Sequence, residues 1–211
     1  MYVGSEHYFS AQPGSEVRPR SIRVTLQGTS FDFTTAGSVF SPDRLDAGTA
    51  ALLDRVPPPA PTGALLDLGC GWGPIAIAMA LRSPQADVWA VDVNERALAL
   101  AAGNARIAGV RVKTAYPDDI PQDVRFATIW SNPPIRIGKP ALHDLLGRWL
   151  PRLAPGGSAW LVVAKHLGGD SLHGWIADRF AKDGLRVRRA ATDRGYRVLE
   201  VTADGTSTTP L

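Results

Sequence analysis

Three glycines at alternate positions stand where a predicted strand turns into a predicted helix. Gly69, Gly71 and Gly73 tolerate backbone angles that other residues avoid, and they let a ligand approach the chain closely. The helix N-terminus behind them favours negative or hydrogen-bond-accepting groups. Asp67 lies just before the glycines, and Asp92 closes the next predicted strand about 20 residues later, where dinucleotide-binding folds place an acidic side chain on the ribose. The spacing predicts a loop that holds a nucleoside cofactor.

A proline-rich turn after a later predicted strand is suited to holding an amino group. Pro133 forces Asn132 out of the helical region, and Pro134 does the same to Pro133. The resulting stiff turn fixes two acceptors, the side-chain oxygen of Asn132 and the carbonyl of Pro133. Two acceptors at one point suit an exocyclic amino group, which has two N–H donors. We call residues 132–135 the clamp.

The composition restricts the remaining chemistry. The chain has 211 residues, 45% of them hydrophobic and 20% charged, with one cysteine. This predicts one globular unit without a disulfide framework or a cysteine-rich zinc site. No histidine is near Cys70 in the sequence, so its thiol is predicted to be an apolar filler beside the cofactor. No apolar run reaches the ~18–20 residues that cross a bilayer, and residues 1–12 lack a signal-peptide pattern, so we expect a cytoplasmic protein.

Short apolar runs alternate with helical patterns and define the elements that position these motifs. Residues 21–33 predict a β-hairpin that turns near Gly28, and Asp46 or Thr49 is a candidate cap for the helix that follows. A proline run at 57–61 predicts a stiff connector. Beyond it we predict strands at 64–68, 88–93, 110–112, 127–130, 158–164, 185–189 and 197–202, and helices at 74–82, 95–107, 141–153 and 171–180.

The order of these elements predicts an α/β fold. Strands that are apolar throughout and separated by helices indicate a mostly parallel sheet that is covered on both faces. The last two strands follow each other through a short turn at 192–195, so they should be antiparallel. We divide the chain into an N-terminal extension (1–56), a core domain (57–202) and a flexible tail (203–211).

Both motifs resemble sequences of class I S-adenosylmethionine-dependent methyltransferases. Residues 66–73 look like motif I of that class, whose G-x-G-x-G spacing differs from the G-x-G-x-x-G of nicotinamide enzymes. The clamp resembles the N-P-P-[FYWI] motif of enzymes that methylate a nitrogen conjugated to a planar system. Further segments resemble the small-domain methyltransferase family, whose best-known members methylate guanine N2 in small-subunit ribosomal RNA. These segments are 7–13, 37–41, 46–49, 132–139 and 195–199.

The resemblance implies a fold and a set of cofactor contacts. The fold would be a Rossmann-like sheet of seven strands, mostly parallel with one antiparallel strand, with helices on both faces and a small N-terminal β-hairpin extension. The cofactor would be S-adenosyl-L-methionine, with its methionine part on the glycines, its ribose on Asp92 and its adenine amine at Asp118 or Asp119. The implied cofactor-binding residues are Asp67, Gly69, Cys70, Gly71, Gly73, Asp92, Val93, Asp118 and Asn132.

The same resemblance implies how the substrate is held. The catalytic residues would be Asn132, Pro133, Pro134 and Ile135 of the clamp. Arg136 and Lys139 would meet phosphates, and Phe40 would contact the substrate. Ile135 stands where many relatives have an aromatic residue, so Trp72 or Phe40 is a candidate for the missing stacking face. His143, just after the clamp, is expected to be a packing or capping residue.

The leading interpretation is an N-methyltransferase that acts on guanine N2 in ribosomal RNA, naked or in the small ribosomal subunit. It would use neither metal nor membrane and would be a monomer by default. Basic clusters at 18–23 and 182–197 fit either a nucleic-acid surface or solvated strand edges. Alternatives in the same class are adenine-N6 and protein glutamine methylation. Alternatives of another class are a nicotinamide-dependent oxidoreductase and a non-catalytic RNA-binding module.

Overall fold

The computed structural model describes residues 19–37, 39, 41 and 43–205. Phe40, a predicted substrate contact, and residues 206–211 of the predicted tail lie outside the described residues, as do residues 1–18. The strands are β1 (Pro19–Leu26), β2 (Thr29–Ala36), β3 (Ala64–Leu68), β4 (Asp87–Val91), β5 (Lys113–Ala115), β6 (Phe126–Ser131), β7 (Leu153–Ala164), β8 (Leu185–Asp193) and β9 (Tyr196–Ala203). The α-helices are α1 (Ala47–Arg55), α2 (Pro74–Arg82), α3 (Glu95–Ile107), α4 (Lys139–Trp149) and α5 (Gly169–Phe180). None of the helices in the described ranges is long and apolar enough to cross a membrane.

Seven strands form one sheet in the order β5-β4-β3-β6-β7-β9-β8. Neighbouring strands are parallel except at β9, which runs antiparallel to both β7 and β8. The predicted α/β sheet with one reversed strand is therefore confirmed. The chain enters the sheet at β3, runs outward to β5 and then returns to β6, so the strand order reverses between β3 and β6. Open α/β sheets bind their ligands at such a point.

The core lies in two layers, one on each face of this sheet. Leu65 of β3 belongs to one layer and Leu66 to the other, as the two-residue period of a strand requires. Helices α1, α2 and α3 cover the first face, and α4 and α5 cover the second. This arrangement confirms the prediction of helices on both faces.

Strands β1 and β2 form a separate two-stranded sheet, so the predicted hairpin is confirmed. Gln27 and Gly28 join them with φ values of 51° and 78°, as in the two-residue turns that match strand twist. The ring of Phe33 packs on that of Trp72, with 5.7 Å between centroids. Buried Asn104 of α3 exchanges hydrogen bonds with the β2 backbone and donates to the Trp72 carbonyl. The hairpin is thus bound to the core, and the boundary drawn at residue 56 stays a prediction.

The prediction of a strand at 110–112 is wrong, because β5 begins only at Lys113. The end of α3 occupies the preceding residues. Gly109 has a φ of 69°, and the N–H of Val110 donates to the carbonyl of Ala105, so the chain is still closing the helix there. Pairing with β4 therefore starts three residues later than predicted.

The helix predicted at 141–153 begins and ends earlier, as α4 (Lys139–Trp149). Its first turn contains Pro140, which is tolerated there because no helical partner is required for its missing N–H. At the other end Pro151 cannot donate to a helical carbonyl, and residues 150–152 form a tighter 3₁₀ turn. Of the two candidate caps for α1, Asp46 is the residue that caps it.

Candidate active site

The glycine loop and the clamp lie side by side at the carboxyl edge of the sheet. They follow β3 and β6, which are parallel neighbours. The Ser131 hydroxyl donates to the Leu68 carbonyl at 2.6 Å and ties the two strand ends together, although the residues are 63 apart in the sequence. A side-chain carbon added to Gly69 would lie 3.9 Å from Pro134. Two motifs that the sequence predicts separately therefore form one crevice.

The glycine loop has a backbone that other residues would strain. Gly69, Gly71 and Gly73 have φ values of 77°, 54° and 92°, in the left-handed region. At Gly73 a side-chain carbon would also lie 3.0 Å from both the Cα and the Cβ of Ala101, so α3 could not pack this closely. The N–H of Gly71 donates to the Asp92 carboxylate at 3.0 Å. The loop is thus joined directly to the predicted ribose-binding acid.

Asp67 lies beneath this loop with its side chain fully buried. One carboxylate oxygen accepts from the N–H of Ala76 in the first turn of α2 at 2.9 Å. The other oxygen is buried and has no hydrogen-bond partner among the described residues. Burial raises the pKa of Asp67 to about 8; the Ala76 N–H opposes this shift and the charge of Asp92 adds to it. A buried acceptor of this kind is normally satisfied by a partner such as an ordered water.

Asp92 stands at the end of β4 with open apolar surface beside it. Its carboxylate accepts from the N–H groups of Gly71 and Asn94, both at 3.0 Å, and burial raises its pKa against the effect of these donors. Val93 is 43% exposed, and Tyr116, which follows the neighbouring strand β5, is 37% exposed. A carboxylate next to exposed apolar side chains suits a nucleoside, with hydroxyls on the carboxylate and a planar base on the apolar surface.

The two acids after β5 lie in different surroundings. The Asp118 side chain is 90% exposed and forms an ion pair with Arg148 of α4 at 2.8 Å. The pKa of Tyr116 is raised by desolvation and then by the charges of Glu95 and Asp119. The assignment of Asp118 or Asp119 to an adenine amine stays a prediction.

The amide nitrogen of Asn132 is held from the side of α1. It donates to the Asp46 carboxylate at 2.8 Å and to the Thr49 hydroxyl at 3.1 Å. The same Asp46 oxygen caps α1 by accepting from the N–H groups of Gly48 and Thr49. No described residue donates to the Asn132 oxygen, which is the acceptor that the sequence predicts for a target amine.

The second predicted acceptor of the clamp is partly used. The Pro133 carbonyl accepts from the Ile135 N–H at 2.8 Å, which leaves one lone pair for a ligand.

Ile135 begins a short 3₁₀ turn and lines, with Lys139 and His143, a cavity of about 140 Å³ between α4 and α5. His143 stacks on Trp175 with 3.8 Å between ring centroids and 5° between planes. This contact fits the predicted packing role of His143.

Two side chains of the glycine loop face the core instead of the crevice. Cys70 is buried, and burial together with the charges of Asp92 and Asp67 raises the pKa of its thiol well above the ordinary value. A thiol that stays protonated is a poor nucleophile, in keeping with a filler role. Trp72 is only 2% exposed and packs against Phe33. The suggestion that Trp72 stacks on a substrate base is therefore wrong.

The basic residues fall into two groups with different surroundings. Arg136 and Lys139, beside the clamp, are exposed, and neither forms an ion pair with a described carboxylate. The arginines of β8 and β9 are paired: Arg186 with Asp204, Arg188 with Glu200, and both Arg189 and Arg197 with Asp170. Within the described ranges no group of His, Cys, Asp and Glu side chains is placed to hold a metal ion.

Three residues join the site without having been predicted as functional. Asp46 and Thr49 hold the clamp amide, and the Tyr196 ring lies against Gly48, where an added side-chain carbon would be 2.9 Å from the ring. Burial and the charge of Asp46 raise the pKa of Tyr196, so its phenol stays neutral. Their segments resemble the family, but no spacing rule connects them to Asn132, which lies 86 residues after Asp46.

Comparison with known proteins agrees with this geometry. Residues 30–200 match the family described as methyltransferase small domain. The chain is 34% identical over 200 residues to the uncharacterized protein YbxB of Bacillus subtilis, covering 93% of this chain and 98% of that protein. It is 31% identical over 194 residues to ribosomal RNA small subunit methyltransferase C of Shewanella amazonensis, covering 90% of this chain and 54% of that protein. A 16S rRNA methyltransferase of T. thermophilus in complex with AdoMet and guanosine superposes with a TM-score of 0.75 at 20% identity, covering 90% of this chain and 52% of that one.

The fold is that of a methyltransferase, and the chain belongs to the methyltransferase small domain family. The resemblance found in the sequence is therefore confirmed. The chain spans nearly the whole length of YbxB and about half the length of the two ribosomal RNA methyltransferases.

Proposed function

We propose that the protein is an S-adenosylmethionine-dependent N-methyltransferase that modifies the exocyclic N2 of a guanine in ribosomal RNA. The observation that carries the proposal is the clamp amide. Its nitrogen is held by Asp46 and Thr49, so the Asn132 oxygen is free to accept an N–H from a target amine beside the glycine loop. Family membership favours methyl transfer over the hydride transfer of a nicotinamide enzyme.

S-adenosylmethionine supplies the methyl group, bound to a positively charged sulfur. Its methionine part would lie on the glycine loop, and its ribose hydroxyls would bind Asp92. The adenine would rest on Val93, with Asp118 or Asp119 at its amine. The free oxygen of Asp67 is buried, so the ammonium group would reach it through a water. Burial raises the pKa values of both Asp67 and Asp92, so a ligand group that donates to either one would favour its ionised form.

The clamp overcomes the weakness of the target nitrogen as a nucleophile. That nitrogen's lone pair is delocalised into the planar base. Accepting its two N–H bonds at Asn132 and Pro133 would draw the nitrogen towards tetrahedral geometry, which localises the lone pair and directs it at the methyl group. The nitrogen would then form the new N–C bond as the S–C bond breaks, with both electrons of that bond left on sulfur. The methylated nitrogen loses a proton to water, so positioning and electrostatics account for the catalysis.

An RNA substrate is supported by the exposed cations next to the clamp. Arg136 and Lys139 have no described carboxylate partner, and phosphate oxygens are the groups that such cations meet in nucleic-acid complexes. Ribosomal RNA is the class of RNA named for the relative from Shewanella amazonensis and for the structure from T. thermophilus.

A transfer assay with methyl-labelled S-adenosylmethionine tests the proposal. The substrates are naked ribosomal RNA, small subunits that lack the modification and a protein extract, and digested nucleosides are identified by mass spectrometry. We expect label in N2-methylguanosine for the wild-type chain, and an initial rate about 10²–10³-fold lower for Asn132→Ala. Label on adenosine or on glutamine would overturn the guanine assignment and keep the methyltransferase. Cofactor binding without any transfer would instead support a non-catalytic RNA-binding module.

A further inference from the structure

We infer that Asp46 is a positioning residue for the methyl transfer. It orients the Asn132 amide and strengthens the Asn132 oxygen as an acceptor through a charged hydrogen bond on the far side of that amide. The inference rests on the proposed function, since it assigns a role within the same site. Asp46 also caps α1, and it precedes the predicted core domain in the sequence.

The orientation of the amide follows from the chemistry of its partners. A carboxylate can only accept hydrogen bonds, so the group that faces Asp46 at 2.8 Å must be the amide nitrogen. The Thr49 hydroxyl, at 3.1 Å, is the acceptor for the second amide hydrogen. With both N–H bonds used on one side, the oxygen must point to the other. A rotated amide would set its oxygen against the Asp46 carboxylate, which is repulsive.

The local sequence is built around this contact. One Asp46 oxygen receives three donors: the Gly48 N–H at 2.8 Å, the Thr49 N–H at 3.1 Å and the Asn132 amide. A side-chain carbon on Gly48 would lie 2.9 Å from that oxygen and 3.3 Å from the Asn132 nitrogen. Aspartate at the cap, glycine two residues later and threonine next are therefore all needed for the amide to reach the cap.

The charge has a direct consequence for the reaction. An amide that donates to a carboxylate is polarised, and its oxygen becomes the more negative end. That oxygen faces the target nitrogen, which becomes positively charged as the N–C bond forms. Asp46 therefore stabilises the transition state more than the bound substrate. Interactions of that kind raise kcat and leave substrate affinity nearly unchanged.

Asp46→Asn is the sharpest test, because asparagine caps helices as well as aspartate and keeps the shape of the side chain. It removes only the charge. We expect kcat to fall about tenfold or more. The KM for RNA and the affinity for S-adenosylmethionine should each change less than twofold, and the apparent unfolding midpoint should stay where it is in the wild-type chain. Thr49→Val should cost a few-fold in kcat, and Thr49→Ser should restore it.

The coupling between the two residues separates positioning from general support of the fold. In the Asn132→Ala background, Asp46→Asn should have no further effect on kcat, because its route to the substrate is already gone. Full kcat in Asp46→Asn, or additive losses in the double variant, would overturn the inference and leave the proposed function standing. Absence of methyl transfer by the wild-type chain on every substrate would overturn both.

Discussion

The cofactor side and the target side of the crevice satisfy their polar groups in opposite ways. On the cofactor side Asp67 is buried and Asp92 is half-buried, burial raises the pKa values of both, and one Asp67 oxygen has no hydrogen-bond partner among the described residues. On the target side the Asn132 nitrogen has both of its hydrogens bonded, and only its oxygen is left open. One side is completed by its ligand, whereas the other is preorganised before the ligand arrives.

This difference separates affinity from rate. Ionising a buried carboxyl group is unfavourable without a partner, so the groups on the cofactor side act through what the ligand supplies on binding, and changes there should appear in cofactor affinity. A preformed acceptor acts when charge develops, so changes on the target side should appear in kcat. A cofactor-side variant that lowers kcat at saturating cofactor, or a target-side variant that lowers cofactor affinity, would contradict this division.

The largest effect is expected at Asn132. Replacing it with alanine removes the acceptor that faces the target nitrogen, and we expect kcat to fall about 10²–10³-fold. Cofactor affinity, measured by calorimetry, should change less than twofold, because the glycine loop is untouched. Collapse of cofactor binding in this variant would place Asn132 on the cofactor side and contradict the clamp assignment.

A smaller effect, on cofactor affinity instead of kcat, is expected at Asp92. Asp92→Ala removes the carboxylate that would bind the ribose and that also accepts from the Gly71 N–H at 3.0 Å. We expect cofactor affinity to fall about 10–100-fold, as for loss of a hydrogen bond to a charged group. At saturating cofactor kcat should recover most of its wild-type value. Unchanged affinity would remove the ribose role.

The two basic groups give a matched pair of variants for RNA binding. Arg136→Ala with Lys139→Ala removes two cations that have no described carboxylate partner, and the slope of log affinity against log salt should become shallower by about 1.5. The control variant, Arg186→Ala with Arg188→Ala, also removes two positive charges, but these arginines form ion pairs with Asp204 and Glu200. This control should leave the slope nearly unchanged. Equal slopes for the two pairs would contradict an RNA-binding role for the cations at the clamp.

The sequence allowed the local parts of this site to be predicted, because each depends on neighbours in the chain. The left-handed turns at the glycines and the stiff turn at Pro133 follow from the residue types alone. The order of strands and helices followed from apolar periodicity, and its error at 110–112 arose where helix termination used residues that also read as a strand. Boundaries of this kind depend on capping as much as on hydrophobicity.

Contacts between distant segments could not be predicted in this way. The bond between Asp46 and Asn132 joins residues 86 apart, and the bonds of Asn104 to β2 join residues 70 apart. The pairing of the β8 and β9 arginines likewise depends on which carboxylates the fold brings near. Charge counted along the sequence therefore could not show that both basic clusters are largely paired, Arg20 with Asp43 and Arg23 with Asp32 in the first and the β8 and β9 arginines in the second.

The smallest effect concerns the buried acid of the cofactor side. The pKa of Asp67 is about 8 in the folded chain and near 3.8 when the carboxyl is in water. The neutral form therefore contributes stability below about pH 4, and that contribution is lost as pH rises towards 8. We expect the ligand-free unfolding midpoint to fall between about pH 4 and 8, by about 2–4 °C for each kcal/mol lost. Asp67→Asn should flatten this slope, and so should saturating S-adenosylmethionine, because its positive charge favours the ionised carboxylate. An identical slope in Asp67→Asn would show that the pH dependence comes from other groups.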